Sequence, residues 1–177
     1  AFKGTDEFKL LQEEYEFIQK YKKAWECAPY APTFVTVDAI VECNGHILMI
    51  QRKATPGKGL WAIPGGFINE YERIEDAVLR ELKEETRIDV SKKMLKGTIK
   101  AKEVFDNPYR SLRGRTITHA FHMVLDLDYF PEVKADDDAM DAVWFPISTL
   151  SEMSNLVFED HLSIISHFVN LDIKFKH

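Results

Sequence analysis

Three glutamates, Glu81, Glu84 and Glu85, stand at a spacing that a helix built only for folding would avoid. Residues three and four apart lie on the same face of a helix, so Glu81 is a neighbour of both other carboxylates. Like charges at this spacing destabilise a helix by about 0.2–0.5 kcal/mol per pair. A hard divalent cation such as Mg²⁺ prefers carboxylate and phosphate oxygens and would reverse that repulsion. The cluster therefore predicts a metal site, with a solvated acidic helix face as the alternative.

The segments before and around the cluster favour the metal site. A predicted strand runs into Gly65 and Gly66, and glycine lets a backbone approach a ligand closely. A helix is predicted over Glu72–Thr86, because an apolar stripe recurs at helical spacing, at Ile74, Val78 and Leu82. The three glutamates lie off this stripe, where we expect solvent, metal and substrate to reach them.

A second charged pair is expected to orient the cluster. Arg80 precedes Glu84 by four residues, so its guanidinium can hold that carboxylate in a fixed direction. Glu72 lies two turns before Arg80 and can hold the arginine in turn.

Residues Gly66 to Ile88 resemble the Nudix box, whose pattern is G-x5-E-x7-R-E-U-x-E-E-x-G-U with U aliphatic. The fixed positions match except one, where Arg87 replaces a glycine. That glycine usually ends the helix in a left-handed conformation. A side chain in that conformation costs about 1–2 kcal/mol, so the replacement bears on the helix end and not on the metal ligands.

The resemblance implies an α/β fold in which a mixed sheet is sandwiched between helices. It also implies hydrolysis of a nucleoside diphosphate linked to another group, with Mg²⁺, or Mn²⁺ in its place, as the cofactor. The cations neutralise and orient the diphosphate and lower the pKa of the attacking water. By this resemblance the backbone carbonyl of Gly66 joins the three glutamates as a metal ligand, and the catalytic group is Glu72, Arg80, Glu81, Glu84 and Glu85.

Segments outside the box narrow the resemblance. Residues 28–39, 56–67, 104–106 and 113–121 are similar to the C-terminal Nudix half of bifunctional nicotinamide-mononucleotide adenylyltransferase/ADP-ribose pyrophosphatases. This implies cleavage of ADP-ribose to AMP and ribose 5-phosphate, in NAD metabolism. The chain begins at Ala1 and has no H-x-G-H-type nucleotidyltransferase signature. We therefore expect an adenylyltransferase domain to precede it in the full-length protein.

Two other functions remain open from the sequence. One is a Nudix hydrolase of a sugar nucleotide, a dinucleoside polyphosphate or a damaged nucleotide, because the box fixes only the diphosphate chemistry. The other is a sensor that binds ADP-ribose without cleaving it. The intact glutamates and the few residues after Trp144 disfavour the sensor.

Arginines supply candidate contacts for the phosphates. Arg52 follows the second predicted strand and can bind a phosphate through two parallel hydrogen bonds. Arg110, Arg113 and Arg115 stand in one loop and repel one another unless anions compensate them. The resemblance favours Arg113 and Arg115 as substrate ligands, together with the backbone at Gly65, and we expect one of the three loop arginines to pair internally.

The general base has several candidates. Asp136, Asp137 and Asp138 precede a predicted strand, and a carboxylate on such a loop can take the proton of the attacking water. Aspartate is also common in solvated turns. A box glutamate, Glu84 or Glu85, is the rival.

Several aromatic residues are candidates for stacking on adenine, although a place in the core explains each of them better: Phe34, Trp61, Phe67 and Phe105. His119 lies in a strand-like run, and an ordinary strand histidine is favoured over a metal ligand or base.

Composition sets the outer limits of these hypotheses. A chain of 177 residues suits one domain, which we place at 29–177 after an N-terminal helix or linker remnant at 1–28. The net charge of −6 argues against nucleic acid as a partner, and no apolar run is long enough to span a membrane. Two cysteines without metal-ligand spacing suit a reduced, cytoplasmic protein. A homodimer is expected from the resemblance, and the leading helix is equally compatible with a linker, a dimer contact or a lid.

Overall fold

The computed structural model describes residues 4–171 of the chain. Residues 1–3, the start of the predicted N-terminal helix or linker at 1–28, lie outside this range. Residues 172–177, the end of the predicted domain at 29–177, also lie outside it. The helices are α1 (Asp6–Ala24), α2 (Ile74–Thr86), α3 (Lys92–Gly97), α4 (Ile147–Leu150) and α5 (His161–Phe168), with a 3-10 turn at Ser151–Met153. The strands are β1 (Thr33–Cys43), β2 (His46–Arg52), β3 (Trp61–Ala62), β4 (Gly65–Phe67), β5 (Ile99–Phe105), β6 (Arg115–Leu125) and β7 (Ala139–Pro146).

These strands form one mixed sheet with the order β3-β2-β1-β6-β5. The central pair, β1 and β6, runs parallel, whereas β4 pairs antiparallel with β1 and β7 antiparallel with β2. A two-residue hairpin turn joins β1 and β2, and Asn44 and Gly45 both take positive φ, at 46° and 69°. Two positive φ values are what a two-residue hairpin of this type requires.

Helices cover both faces of the sheet because side chains of β1 alternate between them. Val37, Ala39 and Val41 pack in one core cluster with the apolar face of α2. Ile40 points to the opposite cluster, which includes Ile164 of α5. The predicted α/β architecture, a mixed sheet between helices with an extra N-terminal helix, is confirmed.

The local predictions differ from the structure at short elements. Gly65 and Gly66, placed at the end of a predicted strand, belong instead to a separate strand, β4 (Gly65–Phe67), whose backbone pairs with β1. Helix α3 was not predicted; it begins after Ser91, whose side chain accepts a hydrogen bond from the N–H of Met94. Six residues are too few to show a helical period in the sequence, which explains the omission.

The N-terminal helix leaves several of its apolar side chains exposed. Leu11 and Tyr15 are exposed, at 56% and 66%, whereas Ile18 is buried. Glu14 also faces inward, and its Oε1 accepts a hydrogen bond of 2.5 Å from the N–H of Gly57. This contact ties α1 to the loop between β2 and β3. Within residues 4–171, no helix has the length and apolar character needed to cross a membrane.

Candidate active site

The pairing of β4 with β1 sets the backbone against which the acidic helix packs. Gly65 lies opposite Asp38 and Gly66 opposite Val37. A Cβ atom at position 66 would lie 2.7 Å from the carboxylate carbon of Glu81. Only glycine therefore lets the Glu81 carboxylate lie directly against this strand.

Arg80 is the hub of the acidic helix face. Its Nε and Nη2 donate to the two oxygens of Glu72, at 2.7 and 2.9 Å. Its Nη1 donates to Oε1 of Glu81 at 2.7 Å and to Oε2 of Glu84 at 2.9 Å. The contacts that the spacing predicts, from Arg80 to Glu84 and to Glu72, are therefore present. These hydrogen bonds lower the pKa of Glu72 and raise that of Arg80, because they stabilise both charged forms.

Glu85 is placed differently from its two neighbours. The sequence predicts that it is open to solvent, but only 5% of the residue is exposed. Its Oε2 accepts a hydrogen bond of 2.9 Å from the N–H of Gly65. Burial raises the pKa of Glu85 to about 8 and also raises that of Glu81, because a carboxylate loses hydration there. Glu85 is therefore the buried carboxylate of the cluster, whereas Glu84 is exposed.

The donor set fits a hard divalent cation. Glu81 and Glu84 both bind one positively charged nitrogen, Nη1 of Arg80, so their carboxylates can converge on a single cation. Within the described part of the chain, no three aspartate, glutamate, histidine or cysteine side chains lie together in a way that could hold a metal ion by themselves. An open set of carboxylate oxygens suits Mg²⁺ or Mn²⁺, since such ions keep waters and take substrate phosphates as further ligands.

The glutamates line a cavity of about 360 Å³. Two of the predicted phosphate-binding arginines, Arg52 and Arg113, line it as well. Arg52 lies over the ring of Phe158, with its Cζ 4.1 Å from the centroid, and its Nε donates to the carbonyl of Pro56 at 2.7 Å. Arg113 lies over the ring of Phe67, at 5.1 Å. Burial lowers the pKa of Arg52, and the nearby Arg113 cation lowers it further. Two fixed cations thus share a cavity with three carboxylates, an arrangement suited to an anion bridged to metal.

The family profile for the NUDIX domain matches residues 32–168. The chain belongs to the Nudix family. It is 39% identical over 140 residues to the ADP-ribose pyrophosphatase of Methanocaldococcus jannaschii, covering 79% of this chain and 75% of that protein.

Solved Nudix structures agree with the fold. A bifunctional NMN adenylyltransferase/ADP-ribose pyrophosphatase from Francisella tularensis, complexed with AMP and a manganese ion, superposes with a TM-score of 0.92 at 44% identity. That match covers 94% of this chain but 50% of the other, so the chain spans about half the length of that protein. The Nudix domain of Shewanella oneidensis NrtR, solved with ADP-ribose, gives a TM-score of 0.68 at 25% identity, covering 85% of this chain and 95% of that one.

The other two loop arginines of this Nudix domain lie elsewhere. Arg110 is buried and forms two hydrogen bonds with Asp160, at 2.9 and 2.8 Å. Arg113 also has an internal partner, since its Nη2 lies 3.8 Å from Oε1 of Glu159, so two of the three arginines pair internally where one was expected. Arg115 donates to the carbonyl oxygen of Asp106 and is not among the residues that line the 360 Å³ cavity.

Arg87, which replaces the glycine of the Nudix box, keeps the backbone conformation of that glycine. Its φ and ψ are 44° and 30°, and its N–H closes the helix on the carbonyl of Lys83. Its side chain pairs with Asp136, whose pKa is lowered by that hydrogen bond. Asp137 and Asp138, in contrast, line the cavity with the glutamates.

Of the aromatic candidates, Phe67 lines the cavity, whereas Trp61 and Phe105 pack against a core cluster. Phe34 stands behind the cavity wall, edge-to-face with Phe67 at 5.9 Å. His119 lies within β6, paired with Val37.

Two aromatic residues of the cavity, Phe17 and Tyr21, come from α1 and were not predicted to belong to the site. Their i, i+4 spacing places them on one helix face, which was the available signal.

A buried polar network next to β4, formed by Asp38, Thr118 and His161, was also not predicted. Thr118 donates its hydroxyl to Asp38, and His161 Nδ1 accepts a hydrogen bond from the N–H of Ile63 at 3.1 Å. Burial raises the pKa of Asp38 to about 6 and lowers that of His161 well below its usual value. The imidazole is therefore neutral, and its Nε2 lies 3.9 Å from Asp38 Oδ1.

Proposed function

We propose that this Nudix domain hydrolyses the diphosphate of ADP-ribose to AMP and ribose 5-phosphate with Mg²⁺, or Mn²⁺ in its place. The observation that carries the proposal is one cavity in which Glu81, Glu84 and Glu85 share the walls with Arg52 and Arg113. Such a cavity has carboxylates for cations and guanidinium groups for a diphosphate. Fixed charges of both signs are what phosphoryl-transfer chemistry requires of a protein.

Each group has a specific task in this proposal. The three glutamates, with the carbonyl of Gly66, hold the cations, and Arg80 keeps two of the carboxylates in position. Arg52 and Arg113 orient the diphosphate, since a guanidinium binds phosphate oxygens through paired hydrogen bonds. Arg115 and the backbone of Gly65 remain predicted substrate contacts. The bound cations supply charge neutralisation and a water of lowered pKa. Asp137, Asp138 or a box glutamate removes the proton of that water.

The relatives support the choice of substrate. One is an ADP-ribose pyrophosphatase, another combines that activity with NMN adenylyltransferase, and a third was solved with ADP-ribose. We extend the proposal accordingly to a role in NAD metabolism in the cytoplasm, with an adenylyltransferase domain preceding residues 1–28. A homodimer of the 29–177 domain belongs to the same proposal.

The test is product analysis on a panel of nucleotides with Mg²⁺ or Mn²⁺ present. The panel holds ADP-ribose, nucleotide sugars, dinucleoside polyphosphates and nucleoside triphosphates. We expect AMP and ribose 5-phosphate from ADP-ribose, with a kcat/KM well above that for every other compound. Faster turnover of another compound would replace ADP-ribose as the substrate and leave the diphosphate chemistry intact.

A non-catalytic sensor is the second candidate, because the chain also resembles the Nudix domain of NrtR, which was solved with ADP-ribose bound. The same panel separates the two functions. Tight binding of ADP-ribose without any product, measured calorimetrically with metal present, would favour the sensor. The retained Glu81, Glu84 and Glu85 favour hydrolysis.

A further inference from the structure

The turn that leads into α5 contacts three arginines with three consecutive side chains. Phe158 contacts Arg52, Glu159 contacts Arg113, and Asp160 contacts Arg110. The backbone of this turn is bound to the neighbouring sheet, because the N–H of Phe158 donates to the carbonyl of Trp61 in β3 at 2.8 Å. The three side chains therefore reach the arginines from a fixed backbone.

Arg113 differs from Arg110 in the use of its nitrogens. Arg110 donates from Nε and Nη2 to both oxygens of Asp160, and its side chain is 3% exposed. Arg113 donates from Nε to the hydroxyl of Ser111 at 3.3 Å. Within residues 4–171, neither terminal nitrogen of Arg113 donates a hydrogen bond to the protein. These two nitrogens can therefore bind phosphate oxygens, whereas Arg110 is committed to its internal pair.

Glu159 lies behind the Arg113 guanidinium. Its Oε1 is 3.8 Å from Nη2 of Arg113, which is too far for a hydrogen bond but close enough for an ion pair. The same Oε1 accepts a hydrogen bond of 3.0 Å from the hydroxyl of Ser111, the group that accepts from Nε of Arg113. The side chains of Arg113 and Glu159 are 13% and 15% exposed, so solvent screens the pair weakly.

We propose that Glu159 is a positioning residue that directs Arg113 toward the diphosphate of the substrate, an inference that rests on the proposed function. The carboxylate attracts the guanidinium and, through the Ser111 hydroxyl, fixes its Nε. It leaves the hydrogen-bond donors of the terminal nitrogens to the substrate.

The backbone of Glu159 is consistent with a specific role for its side chain. Its φ is 45°, in the left-handed region that residues with a side chain seldom adopt. A turn that only reverses the chain would be less strained with glycine at this position. Backbone outliers of this kind cluster at functional sites.

Charge compensation alone is the competing explanation. Burial lowers the pKa of Arg52 and the Arg113 cation lowers it further, whereas the carboxylates of Glu85 and Glu159 oppose both effects. The two explanations predict opposite results. Removing a negative charge that only compensates cations strengthens their attraction for a diphosphate. Removing a contact that positions a guanidinium weakens substrate binding.

Two substitutions test the positioning role. Glu159→Gln keeps the shape and an oxygen that can accept from Ser111 but removes the charge. Ser111→Ala removes the hydroxyl and provides a second test if the glutamine variant does not fold. Glu152→Gln, on the exposed 3-10 turn, removes a negative charge elsewhere and is the control. Each variant is made alone and together with Arg113→Ala.

Two measurements are made on every protein. Steady-state kinetics with Mn²⁺ gives KM and kcat for ADP-ribose. NMR spectroscopy without substrate gives the rate at which the Nε–H of Arg113 exchanges with water, and the signal is assigned by its loss in Arg113→Ala.

We expect Glu159→Gln and Ser111→Ala to raise KM by about 10- to 100-fold, because a misplacement of about 1 Å can cost about 100-fold. The change in kcat should be smaller, and exchange of the Arg113 Nε–H should be faster than in the wild type. Neither substitution should raise KM further when Arg113 is already alanine, because both act through that side chain. Glu152→Gln should match the wild type.

A KM for Glu159→Gln that is unchanged or lower than that of the wild type overturns the proposal, and a lower value supports charge compensation. A further rise of equal size in the Arg113→Ala background overturns it too, because Glu159 would then act through another group. Failure of the wild type to cleave ADP-ribose refutes the proposed function separately. The exchange rate needs no turnover and still decides whether Glu159 holds Arg113.

Discussion

Both carboxylate oxygens of Glu72 accept hydrogen bonds from Arg80, at 2.7 Å from Nε and 2.9 Å from Nη2, although the two residues are eight positions apart in the sequence. This paired contact fixes the plane of the guanidinium, and the remaining nitrogen, Nη1, then directs Glu81 and Glu84. The side chains of Arg80 and Glu72 are 20% and 15% exposed, so solvent competes weakly for these bonds. The orientation of the predicted metal ligands Glu81 and Glu84 therefore depends on the pairing of Arg80 with Glu72.

Replacing Arg80 by lysine tests this dependence. Lysine keeps the charge but loses the planar set of donors that reaches three carboxylates at once. Because supporting residues of this kind typically change metal affinity or activity by about 10- to 100-fold, we expect kcat/KM for ADP-ribose to fall by that factor. The Mn²⁺ concentration for half-maximal activity should rise in Arg80→Lys and in Glu72→Gln. Wild-type metal dependence in both variants would contradict the supporting role.

Glu84→Gln tests the ligand itself. Glu84 is the exposed member of the three, so an isosteric amide should leave the fold unchanged while removing one negative charge from the site. Loss of one fixed charge at such a site typically lowers kcat by about 10²–10³, and we expect that range here. Glu70→Gln, on an exposed position outside the network, is the control and should retain full activity. An active Glu84→Gln variant would count directly against the metal assignment.

The sequence predicted the acidic helix well because its signal is local. Spacing alone placed Glu84 beside Arg80, since a helix converts spacing into contact. Glu72, predicted as the first residue of the helix, lies before α2, which begins at Ile74, so its contact with Arg80 depends on the loop that precedes the helix. Burial of Glu85 was not predictable in this way: it depends on β4 and its Gly65 N–H, twenty residues earlier in the chain. The contribution of α1 to the cavity is likewise tertiary, because it depends on where Glu14 meets Gly57.

Arg87 illustrates a departure from a family pattern that the structure accommodates. The residue takes the left-handed conformation despite its side chain, and its exposed pair with Asp136 contributes little to stability because solvent screens it. Arg87→Gly should remove backbone strain and lose that pair, whereas Arg87→Ala keeps the strain and loses the pair as well. We therefore expect the glycine variant to be about 1 kcal/mol more stable than the alanine variant in urea unfolding. The opposite order would show that the left-handed geometry is not retained in solution.

Asp38 should make the stability of the protein depend on pH. Its pKa is raised to about 6 in the folded state from 3.8, because burial disfavours the carboxylate. Between these values the folded protein keeps a proton that the unfolded chain has lost. The free energy of unfolding therefore falls as pH rises from about 4 to about 6, by an amount on the order of 1–3 kcal/mol, and the loss is complete above that range.

Asp38→Asn isolates this contribution, because asparagine is uncharged at every pH, like the protonated acid. Urea unfolding of both proteins, in metal-free buffer at pH 4, 5, 6 and 7, gives the difference in stability at each pH. The free energy of unfolding of the asparagine variant should rise relative to that of the wild type as pH increases from about 4 to about 6. Above that range the difference between the two free energies should stay constant. A difference that is the same at all four pH values would show that Asp38 is ionised throughout.

The loop with Asp136, Asp137 and Asp138 holds three candidates for the general base, and their contacts differ. Asp136 is held by Arg87, and that contact lowers its pKa, which makes it a weaker base. Asp137 and Asp138 line the cavity with Glu81 and Glu84. The loop is fixed there because the N–H of Lys53 donates to the carbonyl of Asp138 at 2.9 Å.

Single replacements of the three aspartates by asparagine should therefore have unequal effects on kcat. Asp136→Asn should change kcat by less than about three-fold, whereas loss of a general base lowers it by about 10²–10⁴. If the loop supplies the base, that larger decrease will appear in Asp137→Asn or in Asp138→Asn, with the acidic limb of the pH–rate profile removed. If both variants keep the wild-type profile, the base is a glutamate of the box, and the loop contributes only to the shape of the cavity.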